Sequence, residues 1–310
     1  LQVRSGARGP LPDDASDGPT GPEADGLTRL RSLLVAPLAL GEKVETVLVS
    51  PAGALGYVPG GALLDRPVAC VPSGTTWLLL REERPRPGLR ILALGDSACR
   101  GAALRRLPAT RPEAIAIGDH VLLGEKATER GLVEALKTER RWRAVHLACH
   151  GWVDPDRPLL SGLALTATPK DDGLLTCLDV FRMQIPADLV VLSACETGKG
   201  KVYATEGIVG LTRAFMFAGA PRVICSLWKV DDEATREFMI RFYAAWNKEG
   251  GSRRGAAAAL REAQAHVRTF EKVVVDPEAS RAAGRTVTRK VRPWEHPNYW
   301  AAWVLWGLPD

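Results

Sequence analysis

Two stretches decide how this chain is read: Ala144-Val145-His146-Leu147-Ala148-Cys149-His150-Gly151 and Leu189-Val190-Val191-Leu192-Ser193-Ala194-Cys195-Glu196-Thr197-Gly198. Val145–Cys149 and Leu189–Leu192 are apolar on both pleat faces, as expected of central strands of a parallel sheet covered by helices on each side. One run ends in His-Gly and the other in Cys followed by a loop that contains Gly. In open parallel α/β sheets, ligands bind beyond the carboxyl ends of the strands. Neighbouring strands of this kind would bring His150 and Cys195 to one rim. An imidazole base beside a thiol is what nucleophilic cysteine catalysis requires, because the thiol is mostly protonated at neutral pH until a base raises its thiolate fraction. Gly151 leaves the backbone open to a substrate carbonyl. Its N–H and that of Cys195 could hold the oxyanion of a tetrahedral intermediate.

Outward from these runs the pattern repeats. Further strand candidates are Thr46–Ser50, Val68–Pro72, Arg90–Leu94, His120–Leu123, Arg222–Leu227 and Ala302–Trp306. Helical spacing falls between them at Thr75–Glu83, Arg111–Ile117, Thr128–Lys137, Glu206–Ala218, Glu233–Trp246 and Gly255–Thr269. Phe238, Phe242 and Trp246 share one face of the fifth. Alternating strands and helices predict an α/β fold with a largely parallel sheet. Residues 1–26 are rich in Gly, Pro and Asp and read as a flexible linker before a domain spanning 27–310. The polar, Arg-rich segment 272–294 reads as an insertion loop. No repeat of solenoid period is present.

Composition removes several classes. With 46% apolar residues among 310, the chain can bury a core and is not wholly disordered. No apolar run approaches the roughly 20 residues of a spanning helix, so no membrane partner is expected. No secretory leader is legible, and the missing initial Met suggests a fragment or a processed chain. The net charge of +5 is scattered rather than striped, which argues against a nucleic-acid partner. Six widely spaced cysteines without a CxxC pair fit neither a disulfide scaffold nor a zinc ribbon, so a reducing, cytoplasmic setting is expected.

At these residues the sequence resembles the CHAT family of caspase- and separase-like cysteine peptidases. The likeness runs from Leu27 to the end. It rests on Pro72-Ser73-Gly74-Thr75, Ala148-Cys149-His150-Gly151 and Pro158-Leu159-Leu160-Ser161-Gly162-Leu163. It continues through Ser193-Ala194-Cys195-Glu196-Thr197-Gly198, Glu206-Gly207, Ala218-Gly219-Ala220, Ser226-Leu227-Trp228-Lys229-Val230-Asp231-Asp232 and Trp303. Cys149 departs from the family, where Ser or Thr is more usual. The resemblance implies a caspase-like three-layer α/β fold, with a pseudo-caspase-like half over 27–140 and a catalytic half over 141–310. It implies a cysteine endopeptidase that cleaves a protein substrate through a His150–Cys195 dyad and an acyl-enzyme, with no metal or organic cofactor. It further implies activation by a partner or by a helical-repeat region upstream. In separase relatives an acidic residue after a Trp-containing strand lines the pocket for the residue before the scissile bond. Asp232, with Asp231 beside it, matches that position and would favour Arg or Lys.

Each assignment has a competitor. Cys195 could be a buried small hydrophobe. Cys149 is adjacent to His150, yet successive strand side chains point to opposite faces, so it reads as core. For the same reason zinc held by His146, Cys149, His150 and Cys195 is disfavoured, and His146 reads as a packed residue. Asp231 or Asp232 could serve only as the N-cap of the following helix. Thr197-Gly198-Lys199-Gly200-Lys201 could gate the site or be an ordinary loop. Two rival functions are a non-catalytic scaffold in a signalling or defence complex, and a nucleotide-binding domain suggested by Leu94-Gly95-Asp96-Ser97. The first does not require both His150 and Cys195, and the second lacks GxGxxG and Walker patterns.

Overall fold

The computed structural model describes residues 22–83, 85–98, 106–152, 154, 156–194, 204–247, 255–283 and 285–310. Thirteen strands are described. They are β1 (Val47–Val49), β2 (Val68–Cys70), β3 (Ile91–Gly95), β4 (His120–Leu123), β5 (Ala144–Ala148), β6 (His150–Trp152), β7 (Gly162–Ala164), β8 (Leu174–Thr176), β9 (Val190–Ser193), β10 (Arg222–Ser226), β11 (Lys272–Val275), β12 (Thr288–Val291) and β13 (Trp303–Gly307). The α-helices are α1 (Pro22–Leu34), α2 (Gly60–Leu63), α3 (Gly74–Glu82), α4 (Thr110–Ile117), α5 (Glu129–Leu136), α6 (Cys177–Arg182), α7 (Ala204–Phe217), α8 (Asp232–Trp246), α9 (Ala256–Thr269), α10 (Pro277–Ala283) and α11 (Pro297–Trp300).

Eight strands form one sheet in the order β1-β2-β13-β10-β9-β5-β3-β4. They are the eight strands that apolar patterning predicts. From β10 to β4 all neighbours are parallel, while β13 runs antiparallel to β10 and parallel to β2. Strands from either side of residue 140 therefore share one sheet: the earlier ones lie at its two edges and the later ones at its centre. Chain order reverses between β3 and β5, where an open α/β sheet leaves a crevice at its carboxyl rim.

Side-chain alternation assigns the strand residues to two apolar layers. Val145, Leu147, Val190, Leu192 and Val223 pack with Leu132, Val180, Leu211 and Phe215 of α5, α6 and α7. On the opposite face Ala144, Val191, Ile224 and Leu305 pack with Ile117, Phe238, Phe242 and Leu260 of α4, α8 and α9. The result is a three-layer α/β sandwich. Phe238 stacks on Trp303 with ring centroids 5.2 Å apart, and Phe242 stacks on Trp246 at 5.9 Å.

The structure differs from the sequence expectation at three places. Helix α1 starts at Pro22, so the last five residues of the expected linker are helical, while 1–21 lie outside the described residues. Segment 272–294 is not a bare loop but holds the antiparallel pair β11–β12, with α10 between the strands. The first central run stops at Ala148 rather than Cys149, and after it the chain enters a second, antiparallel sheet β6-β7-β8.

Removing the Phe238 ring leaves a cavity against Trp303 that the rigid sheet cannot close. Phe238→Ala should cost about 3–5 kcal/mol of unfolding free energy in urea titrations. A loss under about 1 kcal/mol would contradict this packing.

Candidate active site

Strands β5 and β9 are direct parallel neighbours in the register Val145↔Val190, His146↔Val191, Leu147↔Leu192 and Ala148↔Ser193. Their carboxyl ends therefore leave the sheet side by side. His150 follows Ala148 by two residues and opens β6, where it pairs with Ala164, while Gly151 pairs with Leu163. Both are buried, and Trp152 beside them is 39% exposed. Cys195, the oxyanion donor expected of it, and the loop 197–201 lie outside the described residues, as does Cys99.

The β6-β7-β8 sheet fixes the backbone on which His150 stands. An added Cβ on Gly162 would lie 2.4 Å from the Leu175 carbonyl oxygen, so only glycine lets β7 approach β8 this closely. Ser161, fully buried, accepts at its hydroxyl from the Asp154 N–H (3.1 Å) and at its carbonyl from the Cys177 N–H (2.8 Å). The run Pro158–Leu163 thus joins the chain after Gly151 to the start of α6.

Asp231 and Asp232 divide their tasks. Asp231 is the N-cap of α8, its carboxylate accepting from the Ala234 N–H at 2.9 Å. Asp232 takes the first helical position and is exposed. Burial of part of its carboxyl, then Asp231 and Glu113, raise its pKa above the ordinary 3.8, while Lys229 and His150 act in the opposite sense. Asp232 therefore lies within electrostatic reach of His150. Trp228, just upstream, donates its indole N–H to the Asn298 carbonyl (2.9 Å), and the Leu227 N–H bonds to Ala302 (2.9 Å), so the approach to α8 is braced from α11.

Cys149 is 2% exposed and packs with the layer of α5, α6 and α7, opposite the face that carries His146. His146 is fully buried, as a core residue, but it is not merely packed. Its Nε2 lies 2.9 Å from Glu113 Oε1, and the same oxygen accepts from Ser193 Oγ at 2.7 Å. Its Nδ1 lies 3.3 Å from the Tyr243 hydroxyl, whose pKa burial pushes well above 10. Sequence reasoning missed Glu113, Ser193 and Tyr243 as a group. A signal for Glu113 exists: Thr110, Glu113, Ala114 and Ile117 form the buried stripe of α4, and a charge at an inward position demands partners.

This sheet, with its layers and a His-Gly at the central rim, defines a caspase-like α/β domain, the fold of a class of cysteine peptidases. The chain belongs to the CHAT domain family, whose model matches residues 25–308. Over 139 residues it is 37% identical to tetratricopeptide repeat protein 28 of Homo sapiens and 34% identical to that of Mus musculus. That stretch covers 45% of this chain but only 5% of either relative. Among solved structures, the complex of Porphyromonas gingivalis RgpB pro- and mature domains is similar with a TM-score of 0.51 and 9% identity. The match covers 92% of this chain and 69% of that one, and it speaks for the fold alone. Among the described residues no helix is long and apolar enough to cross a membrane.

Burial also separates the thiols. Desolvation pushes Cys177 up to about 11 and Cys225 higher still, so both remain protonated at neutral pH. Iodoacetamide at pH 7.5 should leave these two unmodified in the folded protein and modify both in urea, read by site-resolved mass spectrometry. Rapid native modification of either would contradict their burial.

Proposed function

We propose that this domain is a cysteine endopeptidase in which Cys195 attacks the scissile carbonyl and His150 moves the proton. The observation that supports the reading is the parallel β5–β9 register, which pairs Ala148 with Ser193, residues that precede His150 and Cys195 by two positions each. In the first step the Cys195 sulfur bonds to the carbonyl carbon while His150 takes the thiol proton. The backbone N–H groups of Gly151 and Cys195 hold the oxyanion. Collapse breaks the C–N bond, His150 returns the proton to the leaving amine, and water then hydrolyses the thioester. No metal or organic cofactor takes part. A thiol-reactive peptidyl probe should label the wild type at Cys195, fail on Cys195→Ala and label His150→Ala at least tenfold more slowly. Equal labelling of all three would favour a scaffold.

Asp232 supplies the preference for a basic residue before the scissile bond. Asp231 meets the capping need of α8, which leaves the Asp232 carboxylate available to a guanidinium or ammonium. Activity of the whole protein depends on an activating partner or an upstream helical-repeat region, and its substrate is a protein. Because the Asp232 pKa is raised, its charge is lost at higher pH than that of an ordinary aspartate. On a substrate with Arg at that position, kcat/KM should therefore fall as pH drops toward the acid range, at a higher pH than an ordinary aspartate would give, and Asp232→Asn should remove that limb. An unchanged preference for Arg in Asp232→Ala would dismiss the pocket assignment.

A further inference from the structure

The polar cluster beneath the rim joins helix α4 to the two strands that lead toward the proposed dyad and to the helix that begins at Asp232. Glu113 comes from α4, His146 from β5, Ser193 from β9 and Tyr243 from α8. β5 leads into His150, β9 leads into Cys195, and α8 begins at Asp232. All four side chains are buried: His146 is 0% exposed, Glu113 3%, Tyr243 5% and Ser193 7%. A carboxylate in such a place is costly unless its oxygens receive donors.

Here a single oxygen, Glu113 Oε1, receives both Ser193 Oγ and His146 Nε2. The Tyr243 hydroxyl lies 3.3 Å from His146 Nδ1, with the donor of that pair set by the imidazole tautomer, so both ring nitrogens of His146 have a polar partner. On the other flank, Ser226 Oγ of β10 donates to the Ala194 carbonyl at 3.5 Å. The last two described residues of the β9 segment are therefore tied from both sides, one at its side chain and one at its backbone. No apolar packing is this directional, because a hydrogen bond weakens steeply when its angle falls.

We propose that Glu113, with His146, Ser193 and Tyr243, is a positioning cluster that fixes where β9 delivers Cys195 relative to His150. This rests on the peptidase reading above and adds residues that touch no substrate. A misplacement of about 1 Å at the reacting atoms can cost on the order of a hundredfold in rate, so a tether two residues from the sulfur matters to the chemistry as well as to folding.

The test uses the whole chain and four variants: Ser193→Ala, Glu113→Ala, Glu113→Gln and Tyr243→Phe. Labelling of Cys195 by the peptidyl probe is resolved into binding and bond formation, with melting temperatures and amide hydrogen exchange at 190–194 measured in parallel. Ser193→Ala and Glu113→Ala should slow bond formation about tenfold or more with probe binding within twofold, and exchange at 192–194 should quicken while α8 and α9 keep their protection. Glu113→Gln keeps an amide oxygen in place of Oε1 and should recover part of the rate. Unchanged labelling and exchange in folded Ser193→Ala and Tyr243→Phe would overturn the cluster's role. So would a loss of protection spread over the whole domain without rescue by Gln. If the wild type itself shows no labelling at Cys195, the peptidase reading fails, and the exchange data alone decide the cluster. Local loss at 192–194 then supports a tether on β9, and unchanged protection overturns it.

Discussion

Everything at the rim depends on one constraint, the parallel ladder between β5 and β9. A strand covered by helices on both faces has no solvent side, so each of its side chains must belong to one apolar layer or the other. Val145 and Leu147 point with Val190 and Leu192 toward α5 and α7, while Ala144 and Val191 point toward α8. Slipping this pair by one residue would move every side chain into the wrong layer. The hydrophobic pattern therefore specifies the register, and the register specifies which residues leave the sheet together.

That logic explains how much could be read from residues alone. Long, two-sided apolar runs have few structural alternatives, and the central strands β5, β9 and β10 were legible for that reason, while β1, β2 and β4 were legible as short apolar runs between helical patterns. The β6-β7-β8 sheet was not. Its strands are three residues long, and Gly162 reveals its purpose only through a close approach to Leu175 that sequence does not display. Helix α1 begins inside a stretch whose Pro, Asp and Gly suggested linker, and its exposed Leu33 shows how thin an apolar face it offers. The pair β11–β12 was hidden because its strands are mostly exposed, so alternation left little trace.

The site divides along the same line. His150, Cys195 and the two aspartates stand out as residue types in a telling order, whereas Glu113 stands out only by where it points. The spacing of Thr110, Glu113, Ala114 and Ile117 puts a carboxylate on an inward stripe, but its partners come from positions 33 and 80 residues away. Such a pairing is a product of topology. The choice between Asp231 and Asp232 had the same character: either could cap a helix, and only the first N–H reached, that of Ala234, settles which one does.

Burial of charge ties these observations together. A carboxylate inside the domain carries a desolvation cost that apolar packing would not incur, and replacing buried polar groups by hydrophobes is often neutral or stabilising. Stability alone therefore accounts poorly for Glu113 between His146 and Ser193. The alternative benefit is direction. The layer that covers β5 and β9 on the α8 side is otherwise aliphatic and aromatic packing, such as Ala144, Leu189, Val191, Phe238 and Phe242, whose contacts tolerate small displacements. At the rim those contacts give way to oxygen and nitrogen atoms at 2.7–2.9 Å, where displacement breaks a bond. The sheet changes from oily to polar over the last residues before its carboxyl ends, the stretch in which position matters more than burial.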